Sequence, residues 1–134
     1  VQKNIVELLV KLQKKKNISY GFICHDLALV QSLSHEVAVM YLGNNVEVLP
    51  GQDVENGAMH PYTQALLGSV FDLKMDFSKP IENIKNEAPS PLDVPSGCPF
   101  QSRCGKCMEI CRKERPVLKE ITPEHQVACH LYEN

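Results

Sequence analysis

Five of the six cysteines fall between Cys98 and Cys129: Cys98, Cys104, Cys107, Cys111 and Cys129, with gaps C-x5-C, C-x2-C, C-x3-C and C-x17-C. The segment is irregular, broken by Pro99, Gly105 and Pro116, and has His125 and His130 close by. Its apolar residues, Phe100, Met108, Ile110, Val117, Leu118, Ile121 and Val127, are too few for a free-standing core. Thiols at such density in a loop-rich stretch hold together what local packing does not. Four chemistries are open: an iron–sulfur cluster, a zinc ion, disulfides, or reduced thiols. Cys104-Gly105-Lys106-Cys107 is a C-x-x-C, which by itself points to zinc or to redox chemistry. For His125 and His130 a solvated or capping role outweighs ligation. No secretory leader pattern is read at the start of the chain, which favours a reducing compartment, and so metal over disulfides.

A second group is Cys24-His25-Asp26. A thiol–imidazole pair would make a nucleophile. Adjacent residues on a strand point to opposite faces, however, so the pairing is geometrically poor. Two readings of His25 then stand level: a polar contact to a ligand at a sheet edge, and a structural histidine at a strand end.

The elements that position these residues read as follows. Ile5, Leu8, Leu9 and Leu12 form one apolar stripe of a helix over 1–16, whose last turns carry Lys11, Lys14, Lys15 and Lys16 and so match the helix dipole. A solvated face explains those lysines more simply than an anionic partner. Ile18–Cys24 has strand length and β-forming residues, and Leu27–Ser34 reads as a helix capped by Asp26. Helix, buried strand, polar pair, helix is the order of an α/β unit, in which ligands bind where strands end and helices begin. Glu36–Tyr41 is a second strand, Gly43-Asn44-Asn45 a turn, and Val46–Leu49 the returning antiparallel strand. A short helical piece covers Gln52–Asn56. Pro61 opens another helix, with Leu66, Leu67, Val70 and Phe71 as its apolar face. Pro80, Pro89, Pro91 and Pro95 mark an extended linker over 72–97.

The 134 residues suit one domain or parts of two, and 43% are hydrophobic. A formal net charge of −2 argues against nucleic acid or an anionic membrane as the main partner. Residues 1–16 hold five lysines and one acid, and residues 17–97 three lysines and ten acids. No apolar run approaches the roughly 18–20 residues of a spanning helix, so no direct membrane insertion is expected. The chain opens with Val1 inside a helical pattern and reads as a piece of a longer protein.

Four segments in order carry a resemblance. Phe22-Ile23-Cys24-His25-Asp26-Leu27-Ala28-Leu29-Val30 resembles the switch-histidine segment of ABC transporter ATPases, where Ser or Thr usually precedes the histidine. Val39-Met40-Tyr41-Leu42-Gly43, with Val46-Glu47, is similar to the strand pair that follows it. His60-Pro61-Tyr62-Thr63-Gln64-Ala65-Leu66-Leu67 resembles the His-Pro-Tyr-Thr segment of the oligopeptide/dipeptide transporter ATPases. Cys98-Pro99-Phe100-Gln101-Ser102-Arg103-Cys104, with Cys111, Pro116, His125 and Cys129, resembles that subfamily's C-terminal cysteine motif.

The resemblance implies an α/β fold: the C-terminal part of a P-loop ABC ATPase fold over 1–71, the linker over 72–97, and a small cysteine-rich irregular lobe over 98–134. It implies that His25 is the switch histidine, which hydrogen-bonds the ATP γ-phosphate and helps position the attacking water; phosphoryl transfer is catalysed mostly by such positioning and electrostatics. It implies that Cys98, Cys104, Cys111 and Cys129 bind a [4Fe–4S] cluster of structural role, with Cys107 a spare thiol and zinc, through Cys104 and Cys107, the alternative. The phosphate loop G-x-x-x-x-G-K-[ST], the signature segment and the acidic strand end that holds Mg²⁺ are not in these residues. In the family they precede the helix at 1–16. ATP and Mg²⁺ are therefore expected only in the full-length subunit, and this stretch alone is expected not to hydrolyse ATP. The implied partners are a second ATPase subunit and membrane-spanning permease subunits, on the cytoplasmic face of the cell membrane. The rival from another class is a stand-alone zinc or iron–sulfur module, folded as a monomer with its own complete core. The fragment reading instead expects apolar surface to be exposed over residues 1–50.

Overall fold

The computed structural model describes residues 2–71, 87 and 89–133; the expected linker falls largely on 72–86 and 88, outside the described residues. Helix α1 (Gln2–Lys16) and helix α2 (Leu27–Leu33) come first. Strands β1 (Glu36–Tyr41) and β2 (Asn44–Pro50) form a hairpin. A 3₁₀ turn (Gly51–Asp53), helix α3 (Val54–Gly57) and helix α4 (Pro61–Phe71) follow. The cysteine segment holds helix α5 (Glu109–Lys113), strands β3 (Lys119–Thr122) and β4 (His125–Val127), and a closing 3₁₀ turn (His130–Tyr132).

The four strands form one sheet in the order β1-β2-β4-β3, antiparallel throughout. Helices with a sheet agree with the expected α/β class at that coarse level. The hairpin loop is Leu42-Gly43, with φ of 45° and 75°, one residue earlier than the composition of the turn suggests. Two residues at positive φ match the twist of the flanking strands. Asn44 supports the loop by donating its side-chain amide to the Leu42 carbonyl at 2.8 Å.

β1 alternates between exposed and buried residues, with Val37, Val39 and Tyr41 turned inward. On β2 the pairing runs Val39↔Glu47 then Met40↔Asn45, so Val46 is the extra residue of a bulge. Both Val46 and Glu47 are therefore buried in succession. β4 pairs along the other side of β2, and Ala128 N–H donates to the Val46 carbonyl at 2.9 Å. The hairpin and the cysteine segment thus share one sheet.

Phe100 is the junction of the core. Its ring lies 5.2 Å from that of Tyr41 and 5.3 Å from that of Tyr62, and the two tyrosines are 4.7 Å apart. Such tilted and edge-on aromatic pairs add to the area they bury. They tie β1, α4 and the Cys98–Cys104 turn to one another. Leu67 of α4 is buried here, as its apolar face requires; the side chains of Val70 and Phe71 lie outside the described residues.

One expected element is absent. Ile18–Cys24 is not a strand: among the described residues no strand pairs with it, and Ile23 is fully exposed. The chain there is extended enough for Tyr20 and Phe22 to meet at 5.6 Å on one side. β-forming residues take up a ladder only beside a partner that supplies hydrogen bonds and cover. α1 forms as expected, but Ile5, Leu8 and Leu12 of its stripe face outward.

Candidate metal centre and histidine site

Each cysteine is positioned by a distinct backbone device. Cys98 N–H donates to the Cys111 carbonyl at 2.7 Å, so the two residues are fixed back to back. Gly97 allows this approach: a Cβ there would lie 2.2 Å from the Cys111 carbonyl oxygen. Cys98 then starts a turn, with Gln101 N–H donating to its carbonyl at 3.1 Å. Cys111 sits in the first turn of α5, where its sulfur accepts the Met108 N–H at 3.4 Å. Cys104 and Cys107 bound a tight turn closed by Cys107 N–H to the Cys104 carbonyl at 3.4 Å. Cys129 leads into the closing 3₁₀ turn, which Tyr132 anchors through its hydroxyl to the Met59 carbonyl at 2.8 Å.

These devices bring Cys98, Cys104, Cys111 and Cys129 to the lining of one small hollow. His60, Phe100, Lys106 and His130 also line it; Cys107 and His25 do not. Cys98, Cys111 and Cys129 are buried, whereas Cys104 and Cys107 are half-buried. Burial pushes the Cys98 thiol up to about 11, and raises Cys104 and Cys129 for the same reason. Neighbouring sulfurs add to each shift. The hollow thus favours neutral thiols until a cation compensates the charge. Among the described residues, no three His, Cys, Asp or Glu side chains stand close enough to hold a single metal ion.

The two histidines near the cysteines are not solvated. His125 is buried and its Nε2 lies 2.7 Å from the Glu47 Oε1. His130 is buried as well; its Nε2 bonds the Glu114 carbonyl at 2.9 Å and its Nδ1 bonds the Glu133 carboxylate. Burial acts to lower the His130 pKa, but these two acceptors prevail and raise it. The same contact lowers Glu133.

Glu47 is the polar centre that sequence reading missed. It has no exposed surface and accepts Met59 N–H at 2.6 Å, His60 N–H at 3.1 Å and the His125 ring nitrogen. It therefore joins β2, the start of α4 and β4. His60 is held neutral beside it: burial lowers its pKa to about 4, although Glu47 acts to raise it. Its Nδ1 accepts the Tyr62 N–H at 3.0 Å, a bond that needs an unprotonated nitrogen.

His25 lies apart from all this. It is exposed, in the bend just before Asp26, whose carboxylate caps α2 by accepting Leu29 N–H at 3.1 Å. The expected cap is thus present. Cys24, also exposed, donates to the Asp26 carbonyl at 3.6 Å, not to the imidazole.

The sequence is similar to that of known proteins over nearly its whole length. The chain is 42% identical over 98% of its length to the oligopeptide transport ATP-binding protein AppF of Bacillus subtilis, covering 41% of that protein. It is 44% identical over 96% of its length to the oligopeptide transport ATP-binding protein OppF of Haemophilus influenzae, covering 40% of it. The dipeptide transport ATP-binding protein DppD of Caldanaerobacter subterraneus is 42% identical over 98% of the chain and 40% of its own length. The chain therefore spans about two fifths of the length of the curated relatives it matches. Residues 46–111 match the family model described as oligopeptide/dipeptide transporter, C-terminal region. Over these residues the chain matches that family's C-terminal region, and over nearly its whole length it is similar to peptide transport ATP-binding proteins. No helix among the described residues is long and apolar enough to cross a membrane.

Proposed function

We propose that the chain is the C-terminal portion of the ATP-binding subunit of a peptide ABC importer. The observation that carries this is the 42–44% identity, over nearly the whole chain, to proteins named as peptide transport ATP-binding proteins. The exposure of Ile5, Leu8, Ile18, Phe22, Ile23 and Met40 supports it. A stand-alone module with a complete core would cover such residues; a portion of a larger ATPase leaves them for the rest of the fold. In the assembled subunit His25 acts as the switch histidine, bonding the ATP γ-phosphate and orienting the attacking water. Its exposed position at the start of α2 suits that contact. The subunit pairs with a second ATPase subunit and with permease subunits on the cytoplasmic face of the membrane, and no nucleic acid is involved.

Cys98, Cys104, Cys111 and Cys129 hold a [4Fe–4S] cluster in this reading. The donor set fits: four thiols line one hollow. Ligation by four cysteines is what such a cluster needs. When bound, the cluster supplies positive charge to thiols that burial otherwise keeps neutral. Its role is to fasten the cysteine segment to the hairpin and α4.

The test joins this chain to the preceding three fifths of a matched relative and measures ATP hydrolysis with the permease. The joined subunit should hydrolyse ATP, and His25→Ala should lower the rate about 10²-fold or more, the range for loss of a positioned catalytic group. Equal rates with and without His25 would remove the role assigned to it.

A further inference from the structure

The C-x-x-C turn is left partly unused by this reading, because Cys104 faces the hollow and Cys107 does not. The two sulfurs nevertheless belong to one turn. The bond from Cys107 N–H to the Cys104 carbonyl closes an i to i+3 turn, whose Cα atoms lie within about 7 Å. A disulfide spans Cα separations of roughly 4.4–6.8 Å. Access separates this pair from the rest: Cys98, Cys111 and Cys129 are 8%, 7% and 8% exposed, while Cys104 and Cys107 are half-buried. Gly105 has nothing within 4 Å of a built Cβ, so the turn has room to adjust.

We propose that Cys104 and Cys107 form a reversible internal disulfide when the cluster is absent, and that this disulfide withholds Cys104 from the four-thiol set. The oxidant is a small-molecule disulfide, RS–SR. Cys107 loses its proton to solvent and attacks one sulfur; the RS–SR bond breaks and RS⁻ leaves, taking up a proton. Cys104 then loses its proton and attacks the Cys107 sulfur; the mixed disulfide breaks and a second RS⁻ leaves and is protonated. Two protein thiols are oxidised and one RS–SR is reduced to two RSH. The three thiols that remain on the hollow are one short of the set a [4Fe–4S] cluster needs. Thiol reductants reverse the step. Cys107 is thus a gate on loading, and an apo chain waiting for its cluster is kept in a form that solvent oxidants do not take further. The disulfide stands on the turn geometry alone; its effect on loading rests on the cluster reading above.

The experiment uses the whole chain carrying Cys24→Ala, purified anaerobically and freed of metal, then treated with oxidised glutathione. Remaining thiols are alkylated and the linked peptides mapped by mass spectrometry. The expected product links Cys104 to Cys107 and leaves Cys98, Cys111 and Cys129 alkylated. A Cys98–Cys111 link, or glutathione stably attached to Cys107, would overturn the proposal. Iron and sulfide are then offered to reduced and oxidised samples. The oxidised chain should take up at least tenfold less iron, dithiothreitol should restore it, and Cys107→Ala should load equally before and after oxidation. Loading that is unchanged by a mapped Cys104–Cys107 link overturns the gating. If the reduced chain takes up no iron while the link still maps, the cluster reading fails and the disulfide stands.

Discussion

Glu47→Ala should be the most costly single change outside the aromatic core. The carboxylate is wholly buried and accepts three donors: Met59 N–H, His60 N–H and the His125 ring. Alanine leaves all three unpaired. A buried donor without a partner costs about 1–3 kcal/mol. With some relief from water entering the space, the sum is about 4 kcal/mol, a large share of the roughly 5–15 kcal/mol typical of a domain. With a urea m-value of about 2 kcal/mol per molar, the midpoint should fall by roughly 2 M at constant m. Glu47→Gln keeps one carbonyl oxygen where the carboxylate accepts both Met59 N–H and His125, but turns an amide N–H toward His60 N–H. Its loss should be about 1–2 kcal/mol. Urea unfolding followed by circular dichroism at pH 7 gives both values. A loss below about 1 kcal/mol for alanine, or a glutamine variant weaker than the alanine one, would refute the role assigned to Glu47.

Other consequences follow from the same geometry. Gly97→Ala puts a Cβ 2.2 Å from the Cys111 carbonyl oxygen and 2.8 Å from the Arg112 carbonyl carbon, so the 2.7 Å bond from Cys98 must open. It should cost about 2–3 kcal/mol in urea unfolding, whereas Gly105→Ala, which meets nothing, should stay within about 0.5 kcal/mol of the parent. His60 titrates near 4 when folded and at 6.5 as a free side chain. The unfolded chain then binds the proton that the folded chain refuses. His60's contribution is complete above pH 6.5 and is lost as pH falls toward 4, by about 3 kcal/mol in all. His60→Asn should flatten the stability–pH curve by one proton in that window, and an unchanged slope would contradict the buried neutral state. His130 has the opposite sign: its folded pKa is raised, so its contribution is full below 6.5 and declines as pH rises through the folded value.

The hairpin was legible because its signals are local: alternating Val37, Val39 and Tyr41, then a glycine turn, then a second run of valines. Pro61 and Asp26 likewise marked helix starts that the structure contains. The strand expected at Ile18–Cys24 depended on neighbours, and composition says nothing of whether a neighbour stands there. The four cysteines on the hollow were separable from Cys107 only through the resemblance, since spacing alone favoured the Cys104/Cys107 pair. Glu47 was missed because a lone glutamate among valines reads as an outward strand residue. The bulge at Val46 and the arrival of β4 on its far side bury it, and both are non-local. The available signal was indirect: His60 and His125 are polar residues beside buried elements and need a buried partner.

The most direct test is made on protein purified without oxygen: an absorbance spectrum, with iron, acid-labile sulfide and zinc counted per chain. About four irons and four sulfides with broad visible absorption are expected. Alanine at Cys98, Cys104, Cys111 or Cys129 should abolish them, and Cys107→Ala should not. One zinc without sulfide, or loss on Cys107→Ala with retention on Cys98→Ala, would contradict the four-cysteine site.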